Sequence, residues 1–211
     1  MRIGCTHAAL FTLLLTYGGT ILAYEEPDFS VVATVNHVEF RRYEPYLVAE
    51  TTVVGETDRD RAVNTGFRRL FNYISGDNIL RTEVTTTEGA ARGTKISMTV
   101  PVQQIRQANG WTVSFVVPSE FEWESVPLPA DSQVRIRQVP GVLIAALRYS
   151  GRWNDRNVER HEAELIGRLN ALDIVRKGPA VTAFYNAPFS LPFMRRNEVM
   201  FVVDRIPADA P

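Results

Sequence analysis

The sequence predicts an α+β fold in which a strand–helix–strand–strand unit occurs twice, its copies forming one twisted antiparallel β-barrel flanked by two α-helices. Two offsets and one size argument carry this expectation. Phe40–Gly55 lies over Ile136–Gly151 at a constant offset of 96, with Arg41 on Arg137, Leu47 on Leu143, Ala49 on Ala145 and Gly55 on Gly151. Trp111–Val117 lies over Asn197–Val203 at an offset of 86. Neither half has the apolar surface to be stable alone, so the two sheets should join.

The elements follow in order. Arg2, the apolar run Ala8–Leu15 and the small residue Ala23 read as an export signal. The run is broken by Thr16, Gly18, Gly19 and Thr20, whereas a membrane span wants about 20 apolar residues. Residues 1–23 are therefore expected to be cleaved, leaving a soluble periplasmic or secreted chain with no membrane span. Cys5 precedes the apolar run, which argues against a lipid anchor there. Residues 24–211 form a single domain of two repeats, about 38–117 and 134–203. Phe40–Gly55 and Ile136–Gly151 are rich in β-branched and aromatic residues, as strands are. Asp58 and Asn154 are good N-caps. Val63, Phe67, Leu70, Phe71 and Ile74 make the apolar stripe of the first helix, and Val158, Leu165, Ile166, Leu169 and Leu172 that of the second. Ser75–Thr94 reads as an exposed loop, about ten residues longer than its counterpart, which accounts for the change of offset. A further strand is expected in each half, at Lys95–Val102 and Val181–Ala187. Pro118–Asp131 joins the halves within the domain.

Composition narrows the function. Lys+Arg number 23 and Asp+Glu 24, for a net charge of −1; no basic run suggests nucleic acid. One cysteine and three histidines allow neither an internal disulfide nor a His/Cys zinc centre. A monomeric chain is expected.

Five segments, in order, resemble the SOUL/heme-binding protein family: Val38–Thr51, Lys95–Val102, Trp111–Glu120, Ser150–Trp153 and Pro192–Val199. The resemblance spans nearly all of residues 27–204. It implies a twisted barrel from a pseudo-twofold repeat and non-covalent binding of heme or another tetrapyrrole in an apolar groove beside the first helix, for binding, buffering or transport. Carried over by position, the implied site is Asn64, Phe67, Phe71 and Asn72, with Arg68 and Arg69 nearby. The plainer reading of Phe67 and Phe71 is core packing, and of Arg68 and Arg69 a solvated face. Some relatives place Arg and Lys where Asn64 and Asn72 stand, where cations suit propionates. Some are thought to use a His where this chain has Arg42, so that axial ligand is missing. His37 sits in a turn-like Asn36-His37 pair. His161, on the second helix, is a weak candidate metal ligand, more simply a packed or surface histidine. Met98 and Met194 are further possibilities for iron, although Met98 reads better as core filling. Apolar contact should hold the ligand.

Familiar catalytic motifs are missing from the sequence: no Gly-x-Ser-x-Gly elbow, phosphate loop or His-Glu-x-x-His occurs. Glu198 is the one candidate acid or base, if burial raises its pKa; the plainer expectation is an ion pair with Arg195 or Arg196. No residue is assigned as catalytic. The alternative function is that of a gyrase-inhibitor-like small-molecule hydrolase or hydrophobic-ligand sensor.

Overall fold

The computed structural model describes residues 24–81 and 93–208. The expected export signal and part of the Ser75–Thr94 loop lie outside the described residues. Eleven strands and two helices follow in the order β1 (Phe29–Val35), β2 (Val38–Tyr43), β3 (Tyr46–Val54), α1 (Arg59–Ile74), β4 (Asn78–Ile79), β5 (Val102–Gln107), β6 (Gly110–Val116), β7 (Leu128–Pro129), β8 (Val134–Val139), β9 (Val142–Tyr149), α2 (Asp155–Ala171), β10 (Arg176–Phe184) and β11 (Asn197–Val203). Nine strands make one antiparallel sheet in the order β1-β2-β9-β11-β10-β5-β6-β3-β8, while β4 and β7 pair separately. The large sheet curls into a half-barrel whose edges are β1 and β8.

Without β1, the order is symmetric about the β10–β5 junction. At an offset of 96, β2 corresponds to β8, β3 to β9 and α1 to α2; β6 corresponds to β11 at 86. The first strand of each half pairs with the other half: β2 with β9, and β8 with β3. The long segments read as strands are each divided in two, at Glu44-Pro45 and Pro140-Gly141, so that β2 and β8 can cross over. The repeated glycine has a backbone reason. Gly55 and Gly151 leave β3 and β9 with φ of +82° and +111°, a region closed to most side chains.

Asp58 caps α1 by accepting from the Arg61 amide, and Asn154 caps α2 by accepting from the Asn157 amide. Both helices cover the convex face of the sheet. One core gathers Phe40, Leu147, Val199 and Phe201 beneath Leu165 and Leu169 of α2. The other gathers Ala49, Val113 and Phe115 beneath Leu70 and Tyr73 of α1. Contact at α1 is close because residue 66 is glycine: a Cβ there would lie 2.8 Å from Val113 Cγ2.

Two strand expectations need correction. Lys95–Val100 runs extended but joins no ladder. The Ile96 amide donates to the Ile74 carbonyl, the Val100 amide to the Glu25 carbonyl, and Thr99 Oγ1 to the Val116 carbonyl. Pro101 has no N–H to donate. The strand is instead Val102–Gln107, between β6 and β10. Its polar character concealed it: Gln103 and Gln104 are buried, with Gln103 Nε2 donating to Tyr46 Oη at 3.3 Å and Gln104 Oε1 accepting from Arg59 Nε at 3.1 Å. In the second half β10 starts at Arg176, five residues before the expected Val181. A further strand that the repeat does not announce, β1, forms a hairpin with β2 through Asn36 and His37, both at positive φ.

The same substitution at two helix glycines should act in opposite directions. Gly66→Ala should destabilise the protein by roughly 1–2 kcal/mol, because the stiff Val113 must move. Gly167→Ala, where a new Cβ meets nothing within 4 Å, should stabilise it by about 0.5–1 kcal/mol through helix propensity. Urea denaturation of the two variants checks both signs.

Candidate functional site

Helix α1 buries Ala62, Gly66, Leu70 and Tyr73 against the sheet. This stripe is turned from the one read in the sequence, and it leaves Phe67 and Phe71 at the margin, 37% and 50% exposed. Gly66 and Ala62 set that rotation: small side chains let the helix backbone approach β6, and the bulkier phenylalanines swing outward. Their rings are nearly parallel, at 12°, with centroids 6.1 Å apart. Phe115 of β6 supports Phe67 edge-on, with centroids 5.1 Å apart. Asn64, Arg68 and Asn72 are exposed on the same helix. Arg69 is turned inward, its Nη1 donating to Thr51 Oγ1 at 3.3 Å. The structure therefore brings the four carried-over positions and the nearby Arg68 onto one outward-facing ridge, with two aromatic rings and one cation among them. Such a surface can cover one side of a flat apolar molecule.

The candidate iron ligands are dispersed. His37 is exposed in the β1–β2 turn. His161 stacks on Tyr149 with centroids 4.0 Å apart, and its Nδ1 lies 2.7 Å from the Asn157 carbonyl. Met98 packs against the α1 core, while Met194 is 67% exposed. Among the described residues, no three His, Cys, Asp or Glu side chains are grouped to hold a metal.

Glu198 lies on the concave face and is fully buried. Arg41 grips it with Nη1–Oε2 at 2.7 Å and Nη2–Oε1 at 3.0 Å; Arg196 Nε donates to Oε1 at 3.0 Å and Tyr185 Oη to Oε2 at 2.8 Å. Burial acts to raise its pKa, but hydrogen bonds and charge from Arg41, the charge of Arg196 and the Tyr185 hydroxyl outweigh burial and hold the carboxyl below the ordinary range. The raised pKa on which a catalytic role for Glu198 depended is thus not found, and the plainer expectation of an ion pair holds. Of the two predicted partners, Arg196 binds Glu198. Arg195 instead donates to the carbonyls of Ser190 and Pro188 and stacks on Trp153. Arg41, 157 positions away in the chain, is the main partner; its one signal in the sequence is the repeat, in which Arg41 and Arg137 coincide.

A cleft of about 550 Å³ near the first described residues is lined by Glu25, Glu26, Asp28, Glu44, Glu122 and Glu124 with Trp123. Its negative charge is unsuited to propionates. The α1 ridge, carrying Arg68, has the matching sign.

Comparison with known proteins adds the lineage. Residues 24–202 match a family model described as SOUL heme-binding protein. Heme-binding protein 2 of Mus musculus is 27% identical over 180 residues, covering 81% of this chain and 80% of the mouse protein. Heme-binding protein 2 of Homo sapiens is 28% identical over 178 residues, covering 78% and 77%. Among solved structures, a hydrolase from Listeria innocua superposes with a TM-score of 0.52 at 12% identity, covering 82% of this chain and 94% of that one. The EcmrR C-terminal domain does so with 0.52 at 8% identity, covering 80% and 98%. At these identities the two structures show a shared fold alone.

The depressed pKa of Glu198 fixes the sign of a pH effect. A carboxyl with a lowered folded pKa contributes stability above the ordinary glutamate range and loses it as pH falls through the folded value. Glu198→Gln should cost about 3–5 kcal/mol at pH 7, since Arg41 is left buried and uncompensated. The gap to wild type should shrink as pH falls below about 4.3, where an unfolded-state glutamate takes up its proton. Urea melts at pH 7 and pH 3 test this; an equal gap at both would mean that the charge of Glu198 is not the stabilising feature.

Proposed function

This chain belongs to the SOUL heme-binding protein family, and we propose that it holds heme or a related tetrapyrrole non-covalently against α1, for binding, buffering or transport. The observation that carries the proposal is the pair of parallel, half-exposed rings of Phe67 and Phe71. Two adjoining half-exposed rings make one contiguous apolar patch, the kind of surface that lines ligand grooves. The residues fit the group: Phe67 and Phe71 would cover the macrocycle, Arg68 would meet a propionate, and Asn64 and Asn72 would donate hydrogen bonds at its rim. Bound heme would contribute a redox-active iron. The chain's own part is to cover the apolar face and exclude water from it.

Heme binding by relatives at the family level supports this reading. The hydrolytic alternative rests on the fold it shares with a hydrolase. Glu198, the carboxylate that reading would employ, is engaged by Arg41, Arg196 and Tyr185. We place the mature protein in the periplasm or outside the cell, beginning near Tyr24. The signal-like pattern of Arg2–Ala23 supports this, and the family match begins at residue 24.

Hemin titration followed at the Soret band tests the site. Phe67→Ala and Phe71→Ala should each weaken binding by about 1–3 kcal/mol, roughly 5- to 150-fold. His37→Ala and His161→Ala should change it little, circular dichroism confirming that each variant folds. Loss of the Soret shift in His161→Ala, with normal binding by Phe67→Ala, would move the site to α2. For export, mass spectrometry of the protein recovered outside the cytoplasm should show the loss of about 23 residues; a full-length chain held in the membrane would refute it.

A further inference from the structure

The duplication is unequal at one place. At an offset of 96, Phe67 falls on Ala163 and Gly66 on Glu162; at 86, Phe115 falls on Phe201. In the first half the Phe67 ring covers Phe115. In the second half a methyl group stands where that ring would be, and the larger Glu162 replaces the glycine that draws α1 close. A cleft of about 690 Å³ opens there, between α2, β10 and the tip of the β5–β6 hairpin, with Trp111 and Phe201 among its apolar walls and Val158 and Ile166 on the helix side. That volume is within the range of small-molecule sites, about 300–1,000 Å³.

Two of its cations stand without ion-pair partners. Arg106 lies over the Trp111 ring at 5.9 Å and Arg176 over the Phe201 ring at 5.3 Å. Among the described residues, neither guanidinium has a carboxylate within ion-pair distance. Next to the cleft, stacked on His161 of α2, the Tyr149 hydroxyl is buried with no hydrogen-bond partner among the described residues, on a residue only 7% exposed. It feels the charges of Arg59 and Glu162, both of which line the cleft. Glu162 is itself desolvated: burial, then Glu159, raises its pKa against the opposing pull of Arg106 and Arg176. A buried hydroxyl left without a partner is costly, while Arg106, exposed, and Arg176, half-buried, present two cations without carboxylate partners on the strand wall of the cleft.

We propose that this cleft is a second ligand site, for an amphipathic carboxylate whose apolar body lies on Trp111 and Phe201 and whose carboxylate meets Arg106 and Arg176. The arrangement gives the ligand a direction. Both cations stand on the strands, while Glu159 and Glu162 stand on the helix, so the anionic end belongs at the sheet and any hydroxyl on the body faces α2. The site is separate from the α1 ridge, and the proposal does not depend on the tetrapyrrole reading.

The probe is 1-pyrenebutyrate, a flat apolar carboxylate, followed by isothermal titration calorimetry with the uncharged 1-pyrenebutanol as control. We expect one site per chain, the alcohol binding at least tenfold more weakly. The double variant Arg106→Gln/Arg176→Gln should weaken pyrenebutyrate at least tenfold. Ala163→Trp, at an exposed position that tolerates a larger ring, should abolish binding by filling the cleft, with circular dichroism confirming the fold. No binding to the wild-type protein, equal affinity for acid and alcohol, or undiminished binding by Ala163→Trp would each overturn the proposal.

Discussion

Two buried glutamates, each chelated by two arginines, lock the exchanged strands on which the half-barrel depends. Arg41 on β2 reaches Glu198 on β11 of the other half, where Arg196 also binds. Arg137 on β8 reaches Glu50 on β3 of the other half, where Arg135 also binds. Arg41 and Arg137 are equivalent in the repeat, so both halves use the same cation to secure a strand that has left its own unit. The desolvation of each carboxylate is large, and only multiple charge-assisted hydrogen bonds offset it. Such a cluster adds little net stability over an apolar one, but a slip in register would strand its charges. Its contribution is therefore to specify which strand pairs with which.

With the strands fixed, the convex face is free to accept two helices, and the difference between them creates the two surfaces of interest. α1 lies close because Gly66 permits contact with Val113. That closeness expels the Phe67 and Phe71 rings to the margin, where they form an aromatic ridge. α2 carries Glu162 and Ala163 at the corresponding positions and leaves a hollow over Phe201. One duplication thus yields a convex aromatic surface on one side and a concave amphiphilic cleft on the other, because substitutions at adjacent positions reverse the sizes of the groups that face the sheet.

Much of this was legible in the chain. The offsets of 96 and 86 named the repeat, Asp58 and Asn154 began the helices, and Gly55 and Gly151 ended the strands that precede them. These features are local: a cap, a turn or a period is decided by a few neighbouring residues. The strand Val102–Gln107 was not legible, because its glutamines satisfy their amides through Arg59 and Tyr46, from distant parts of the chain. The segment KISMTVPV misled for the converse reason. Its apolar composition suits a strand, yet its amides bond to α1 and to Glu25, and its Thr99 hydroxyl bonds to β6.

The candidate site divides in the same way. By itself the sequence determined that Phe67 and Phe71 share a helix face, since residues four apart lie one turn apart. It could not say whether that face meets the core or the solvent; this turns on how closely α1 approaches β6, which Gly66 and Val113 decide together only in the assembled fold. Likewise, residue type made Glu198 an ionisable group in an apolar strand. Whether burial or pairing governs its proton depends on Arg41, 157 positions away, delivered by a strand that crosses to the other half. Periodicity and caps are settled by short-range sterics, whereas burial, charge pairing and cavities require distant surfaces to meet, so only the tertiary structure decided them.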